Sequence, residues 1–246
     1  MERYQIILGY DGTAFAGMQR QANAATIQGE LEQALRKIGW QGSSVLAAGR
    51  TDAGVHASGQ VVAFDHDWPH SLTDLRSALN ANLPAEISVR EVREAAADFH
   101  PRFDALSRSY EYRILSQPVR DPLRERFHWR VWPQPDLDLL QACAQKLVGE
   151  YDFAAFGTPP IEGGTTTRQI LEAGWASEAD TLRFRVTANA FLYHMARRMV
   201  HIQIEIGLGK EPFSVLEAAL ASPGDGIIQG LAPAHGLVLT AVAYPE

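Results

Sequence analysis

The sequence predicts an α+β protein of two similar halves, residues 1–103 and 104–246, each a mostly antiparallel sheet with helices on one face. Three observations carry this. Apolar residues alternating in period two, such as Tyr4, Ile6 and Leu8, recur between segments with apolar residues at helical spacing, such as Ile27, Leu31 and Leu35. The stretch Asp98-Phe99-His100-Pro101-Arg102-Phe103 is a joint, because Pro101 breaks any regular element. Beyond it the outline of strands and helices returns, without a sequence repeat that would establish duplication.

In the first half, residues 4–10 alternate as a strand and end at the turn pair Asp11-Gly12. Thr26 caps a helix with Ile27, Leu31, Leu35 and Ile38 on one face, which stops at Gly39. Val45-Leu46 and Val61-Val62-Ala63-Phe64 are strand-like runs on either side of a loop. Ser71, with Asp74 three residues on, opens a second helix (Leu72, Leu75, Leu79) that ends before Pro84. Residues 87–92 form the next strand.

In the second half, residues 109–115 form a strand with Tyr110, Tyr112 and Ile114 on one face. Residues 121–135 are a long loop containing Arg and Trp. Asp136 caps a helix through Val148 with Leu139, Leu140, Cys143 and Leu147. Residues 166–175 and 182–188 are a strand pair around Glu178-Ala179-Asp180. Residues 191–207 form a helix with two apolar stripes: Met195, Met199, Ile202 and Ile206 on one, Tyr193, Val200 and Ile204 nearly opposite. A capping box, Ser214-Val215-Leu216-Glu217, opens the last helix, and a closing strand runs to Tyr244.

Composition narrows the function classes. With 46% hydrophobic and 21% charged residues the chain is globular rather than disordered. It contains no apolar run of about 18 residues that would predict a membrane span. Met1-Glu2-Arg3-Tyr4 leads straight into a strand, so no signal peptide is expected. One cysteine, Cys143, excludes a disulfide framework, and a cytoplasmic location follows. The net charge of −7 argues against a general nucleic-acid binder, yet Arg outnumbers Lys nineteen to three and is clustered. Residues 102–130 hold seven Arg against four acids, and residues 183–201 hold four Arg and no acid. These two regions are expected to supply phosphate contacts.

Chemistry concentrates in Ala47-Ala48-Gly49-Arg50-Thr51-Asp52-Ala53-Gly54-Val55-His56-Ala57. Gly49 and Gly54 bracket Asp52, the one carboxylate between Glu32 and Asp65, in a loop between strands. A surface turn in which Asp52 stabilises its own backbone explains the spacing equally well. On the 191–207 helix, Arg197 borders the second apolar stripe, where a guanidinium needs an anion or several acceptors. Glu205 is one partner within reach in sequence, snorkelling to solvent is another solution, and Asp52 is the third.

The string Gly49-Arg50-Thr51-Asp52-Ala53-Gly54-Val55-His56-Ala57 resembles the signature of the TruA family of tRNA pseudouridine synthases. So do Gly17-Met18-Gln19-Arg20-Gln21, the stretch from Asn189 to Arg197, and Leu231-Ala232-Pro233-Ala234-His235-Gly236-Leu237. Met18 stands where Trp is usual, Arg198 where Asn is, and His201 where Gly is. The resemblance covers nearly the whole chain, with its motifs in the right order. It implies conversion of uridine to pseudouridine at positions 38–40 in the anticodon arm of tRNA, without cofactor or metal. It makes Asp52 the catalytic carboxylate, Arg197 the cation that contacts it and Tyr110 the ring that stacks on uracil. Arg50 and His56 belong with the substrate. It further implies a homodimer binding tRNA across both subunits, and a central RNA-binding cleft where the two halves meet.

Other signals carry less. His66 and His70 have metal-ligand spacing, but Pro69 breaks the helix that geometry needs. Gly207-Leu208-Gly209-Lys210 lacks the rest of a phosphate loop and ends a helix instead. Cys143 lies on an apolar helix face and belongs to the core.

Overall fold

A computed structural model describes residues 1–161, 163–225 and 228–245. It divides into two compact units, Met1–Leu106 with Val238–Glu246, and Ser107–Leu237.

In the first unit, β1 (Glu2–Tyr10) buries Tyr4, Ile6, Leu8 and Tyr10, the alternation that the sequence predicts. After it come α1 (Ile27–Lys37), β2 (Leu46–Ala47), β3 (His56–His66), α2 (Leu72–Asn82) and β4 (Ile87–Ala95). Antiparallel partners flank β1, with Ile6 opposite Val62 of β3 and Val92 of β4. A short antiparallel pairing joins β2 to β3, Leu46 opposite Ala63. The Thr26 side chain accepts from the Gly29 amide to start α1. The Ser71–Asp74 capping box opens α2 in both directions. Each helix turns leucines inward, Leu31 and Leu35 from α1, Leu75 and Leu79 from α2.

The second unit contains β5 (Ser107–Leu115), β6 (Trp129–Arg130), α3 (Leu137–Leu147), β7 (Gly149–Asp152), β8 (Thr167–Glu178), β9 (Thr181–Ala188), α4 (Met195–Gly207) and α5 (Ser214–Ala221). Here β9 lies between β5 and β8, antiparallel to both, and β7 continues the sheet on β8. A two-residue parallel contact joins β6 to β5. Asp136 caps α3 as predicted, and Cys143 is buried, its thiol pushed up to about 11 by that burial.

The last strand, β10 (Leu237–Ala243), pairs parallel with β3, Val238 opposite His56. Its residues from Val238 on therefore group with the first unit, although the chain order puts them in the second half. Each unit is thus helices with a mostly antiparallel sheet. No helix among the described residues is long and apolar enough to cross a membrane.

Four elements differ from the sequence expectation, the first being β6, which lies within the expected loop 121–135. Helix α4 starts at Met195 rather than 191: His194 adopts the left-handed conformation (φ 67°), and Tyr193 forms a bridge with Thr158. Tyr193 therefore lies outside the helix and is 55% exposed, while Val200 and Ile204 are buried. The predicted box at Ser214 is not formed; Phe213 precedes α5 in helical conformation, with no side-chain cap. And β7 was not expected, because four residues are too few to show an alternation.

Candidate active site

Strands β2 and β3 hold the Asp52 loop between them. Five hydrogen bonds between uncharged groups help fix residues 49–54. Gln60 Nε2 donates to the Gly49 carbonyl (3.0 Å), and the Tyr10 and Thr51 hydroxyls share a bond of 2.8 Å. The Met18 amide donates to the Thr51 carbonyl (3.0 Å), the Val55 amide to the Asp52 carbonyl (3.1 Å), and the Gly54 amide to the Phe15 carbonyl (3.4 Å). Gly17 is needed for the approach: its φ is +97°, and a Cβ there would come within 2.7 Å of the Thr51 carbonyl oxygen.

Gln60 is fully buried, Tyr10 is 5% exposed and Thr51 7%. Buried polar groups of this kind are stable because they bond to one another. Gln60 Nε2 also lies 3.5 Å from the Tyr10 hydroxyl, so one chain of groups reaches residues 49 and 51, the neighbours of Arg50 on both sides. Burial pushes the Tyr10 hydroxyl up to about 12, and it stays neutral through the physiological range. With both neighbours tied down, Arg50 is exposed and Asp52 half-buried.

His56 begins β3 and is 3% exposed. Its Nδ1 lies 3.0 Å from the Gly12 amide, which donates to it, and 3.1 Å from Asp11 Oδ1. His56 thus braces the turn after β1 against the residue that leaves the loop.

The other candidates lie in the second unit. Tyr110, half-buried on β5 opposite Val186, meets Phe191 edge-on with ring centroids 4.9 Å apart. Arg197 sits in the first turn of α4, half-buried, and its Nε donates to the Ala232 carbonyl (2.7 Å). Glu205, one partner open to Arg197 from the sequence, pairs with Lys210 at 3.2 Å instead. Arg198 Nη1 donates to the Phe156 carbonyl (3.1 Å); burial first, and the adjacent Arg197 second, depress its pKa.

The two Arg-rich regions are less basic than their composition suggests. Glu111, 7% exposed, accepts from Arg113 (2.8 Å) and Arg185 (3.0 Å). Burial alone would raise its pKa, but the two guanidiniums outweigh it and hold the carboxyl below the usual range. Arg120 and Arg130 lie within ion-pair distance of Glu125, and Arg183 of Glu178. Arg124 forms a two-pronged bond to Asp180, 2.7 Å on each side. Arg124 is therefore tied to the β8–β9 turn.

Sequence reasoning missed Tyr10, Gln60 and Tyr112 as partners of the site. A signal existed for Gln60, an uncharged polar residue within the apolar β3 run, since such a residue must find partners. Tyr10 ends the predicted strand 4–10 and gave no signal of a partner in the loop.

A family model described as tRNA pseudouridine synthase matches residues 6–104 and 143–245; Asp52 and Arg197 fall within the matched stretches and Tyr110 between them. Full-length relatives agree. The chain is 39% identical over 249 residues, all of both proteins, to the tRNA pseudouridine synthase A of Geobacter sp. (strain M21). It is 39% identical over 240 residues to that of Halalkalibacterium halodurans, covering 97% of this chain and 91% of the relative. Among solved structures, that of a Cbf5-Nop10-Gar1 complex aligns over 96% of this chain and 48% of its own. Its identity is 11% and its TM-score 0.37, too slight a likeness to bear on the fold.

Proposed function

The chain belongs to the tRNA pseudouridine synthase family, and on that premise we propose which residues carry the reaction and where on the RNA it acts. The enzyme is an isomerase that converts uridine in tRNA to pseudouridine. The bond from ribose C1′ to uracil N1 breaks, and a bond from C1′ to C5 of the same base forms. The C5 proton leaves to solvent and N1 takes one up, so the atoms balance without a cofactor.

Asp52 acts on the ribose as a carboxylate, and Arg197 meets it as its counter-cation. Tyr110 stacks on the uracil, an interaction worth roughly 1–3 kcal/mol, with Phe191 supporting its ring. Arg50, exposed beside Asp52, takes an RNA phosphate, and His56, at the start of β3, belongs with the substrate. The target uridines are those at positions 38–40 of the anticodon arm. They must leave the stack to react, at a cost of a few kcal/mol. The two halves meet at a central cleft that takes the arm, two copies of the chain share one tRNA, and the enzyme works in the cytoplasm. The family motifs in this chain support these points.

The observation that supports the reading most is the Asp52 loop, in which neutral bonds to residues 49, 51, 52 and 54 fix the backbone on both sides of the carboxylate. Incubating tRNA with the protein tests it: pseudouridine in the anticodon arm is the expected product. Free uracil would mean glycosidic hydrolysis, and unchanged RNA that bound tightly would mean a non-catalytic binder.

A further inference from the structure

Residues 230–236 run along the residues that surround Arg197, and we infer that they are a strap whose clamps set the direction of the Arg197 guanidinium. Tyr112 and His201 are then positioning residues for turnover, a role that rests on the part given to Arg197 above. The segment is clamped at five places. At residue 230, a glycine with φ +85°, any side chain would run into the His201 imidazole. That imidazole is stacked on Trp129, centroids 6.4 Å apart and planes at 19°, and Trp129 meets the Tyr112 ring edge-on at 6.3 Å.

At residue 232 the backbone is tied in both directions. The Ala232 amide donates to the Arg197 carbonyl (3.3 Å), and the Ala232 carbonyl accepts from Arg197 Nε (2.7 Å). At residue 233 the carbonyl accepts from the Tyr112 hydroxyl (2.7 Å). The His235 ring bonds to the backbone of His128. At residue 236 a Cβ would come within 2.6 Å of the Tyr112 ring.

A guanidinium is planar, so a bond at Nε fixes the plane and with it the directions of the two terminal nitrogens. The acceptor of that bond is a carbonyl in a stretch without helix or strand at residues 228–233, so its position depends on the clamps. Tyr112 is the strongest of these. It is fully buried, and burial holds its hydroxyl well above the ordinary tyrosine range, with the Arg197 charge pulling the other way.

A double-mutant cycle read by single-turnover pseudouridine formation at saturating tRNA tests the strap, with tRNA affinity and thermal midpoint measured beside it. Tyr112→Phe is expected to slow turnover by about tenfold, the worth of one buried hydrogen bond, with tRNA affinity unchanged. In an Arg197→Met background the same change should have no further effect. His201→Ala should show the same pattern at about threefold, which keeps the test open if Tyr112→Phe folds poorly. Equal slowing in both backgrounds, or none in the parent, overturns the inference. Full turnover in Arg197→Met alone overturns instead the part given to Arg197, and is read from that single variant before the cycle is closed.

Discussion

The Asp52 loop and the strap beside Arg197 are both irregular backbone, held in place by different chemistry. Residues 49–54 are fixed by amides, a carboxamide and two hydroxyls, none of which titrates near neutral pH. Residues 230–236 are held by a guanidinium, the His201 and His235 imidazoles and a phenol. Neutral bonds in a dry setting are indifferent to salt and pH, whereas a clamp that includes a guanidinium and imidazoles responds to them. The difference predicts that the loop keeps its geometry over a wide range of conditions and that the strap is the first part to loosen.

The largest expected effects test the parts themselves. Asp52→Asn preserves the size of the side chain and the five bonds of the loop backbone, and is expected to abolish pseudouridine formation while tRNA still binds. Substantial turnover in that variant, measured by release of the C5 proton, would remove Asp52 from the chemistry. Arg197→Met is expected to lower turnover by about a hundredfold with binding largely kept. A loss confined to binding would make Arg197 a phosphate contact instead.

Smaller effects sharpen the contrast. Tyr10→Phe leaves the buried Thr51 hydroxyl without its 2.8 Å partner, which should cost about 1–3 kcal/mol of stability and slow turnover. Its effect should be the same at low and high salt; a salt-dependent effect would contradict a loop fixed by neutral bonds. Last is a slope in stability. Burial lowers the pKa of His235 and of His128, so below the ordinary histidine value of 6.5 the unfolded chain takes up protons that the folded one resists. Stability is then full above about 6.5 and declines as the pH falls below it. His66, lowered by burial in the first unit, adds to the slope. His235→Gln should flatten it in part and Gln60→Leu should not, as thermal melts between pH 5 and 8 would show.

The sequence was legible where a pattern has a period or a cap. Thr26, Ser71 and Asp136 start their helices as their hydroxyl or carboxylate requires, and β1 alternates as read. It misled at residues 191–194, whose apolar residues continue the helical phase, because a left-handed His194 and a bridge to Thr158 outweigh that phase. The Arg clusters misled for another reason: composition counts cations, while the fold sets Glu111 and Glu125 each against two of them, and Asp180 and Glu178 each against one more. Asp52 was visible from its string. The acceptor of Arg197 Nε was not, since a backbone carbonyl 35 residues away has no side-chain signature.

The closing strand has a further consequence. Because Val238 and Leu239 pair with His56 and Ala57, the strand that leaves the Asp52 loop gains a neighbour from nearly 200 residues later in the chain. During synthesis from the N-terminus, the first unit waits with that part of β3 uncovered until the closing strand has been made, while residues 107–237 already hold every strand and helix of the second unit. The Asp52 loop is thus among the last parts to be completed, and a chain released early would carry it without the strand that backs it.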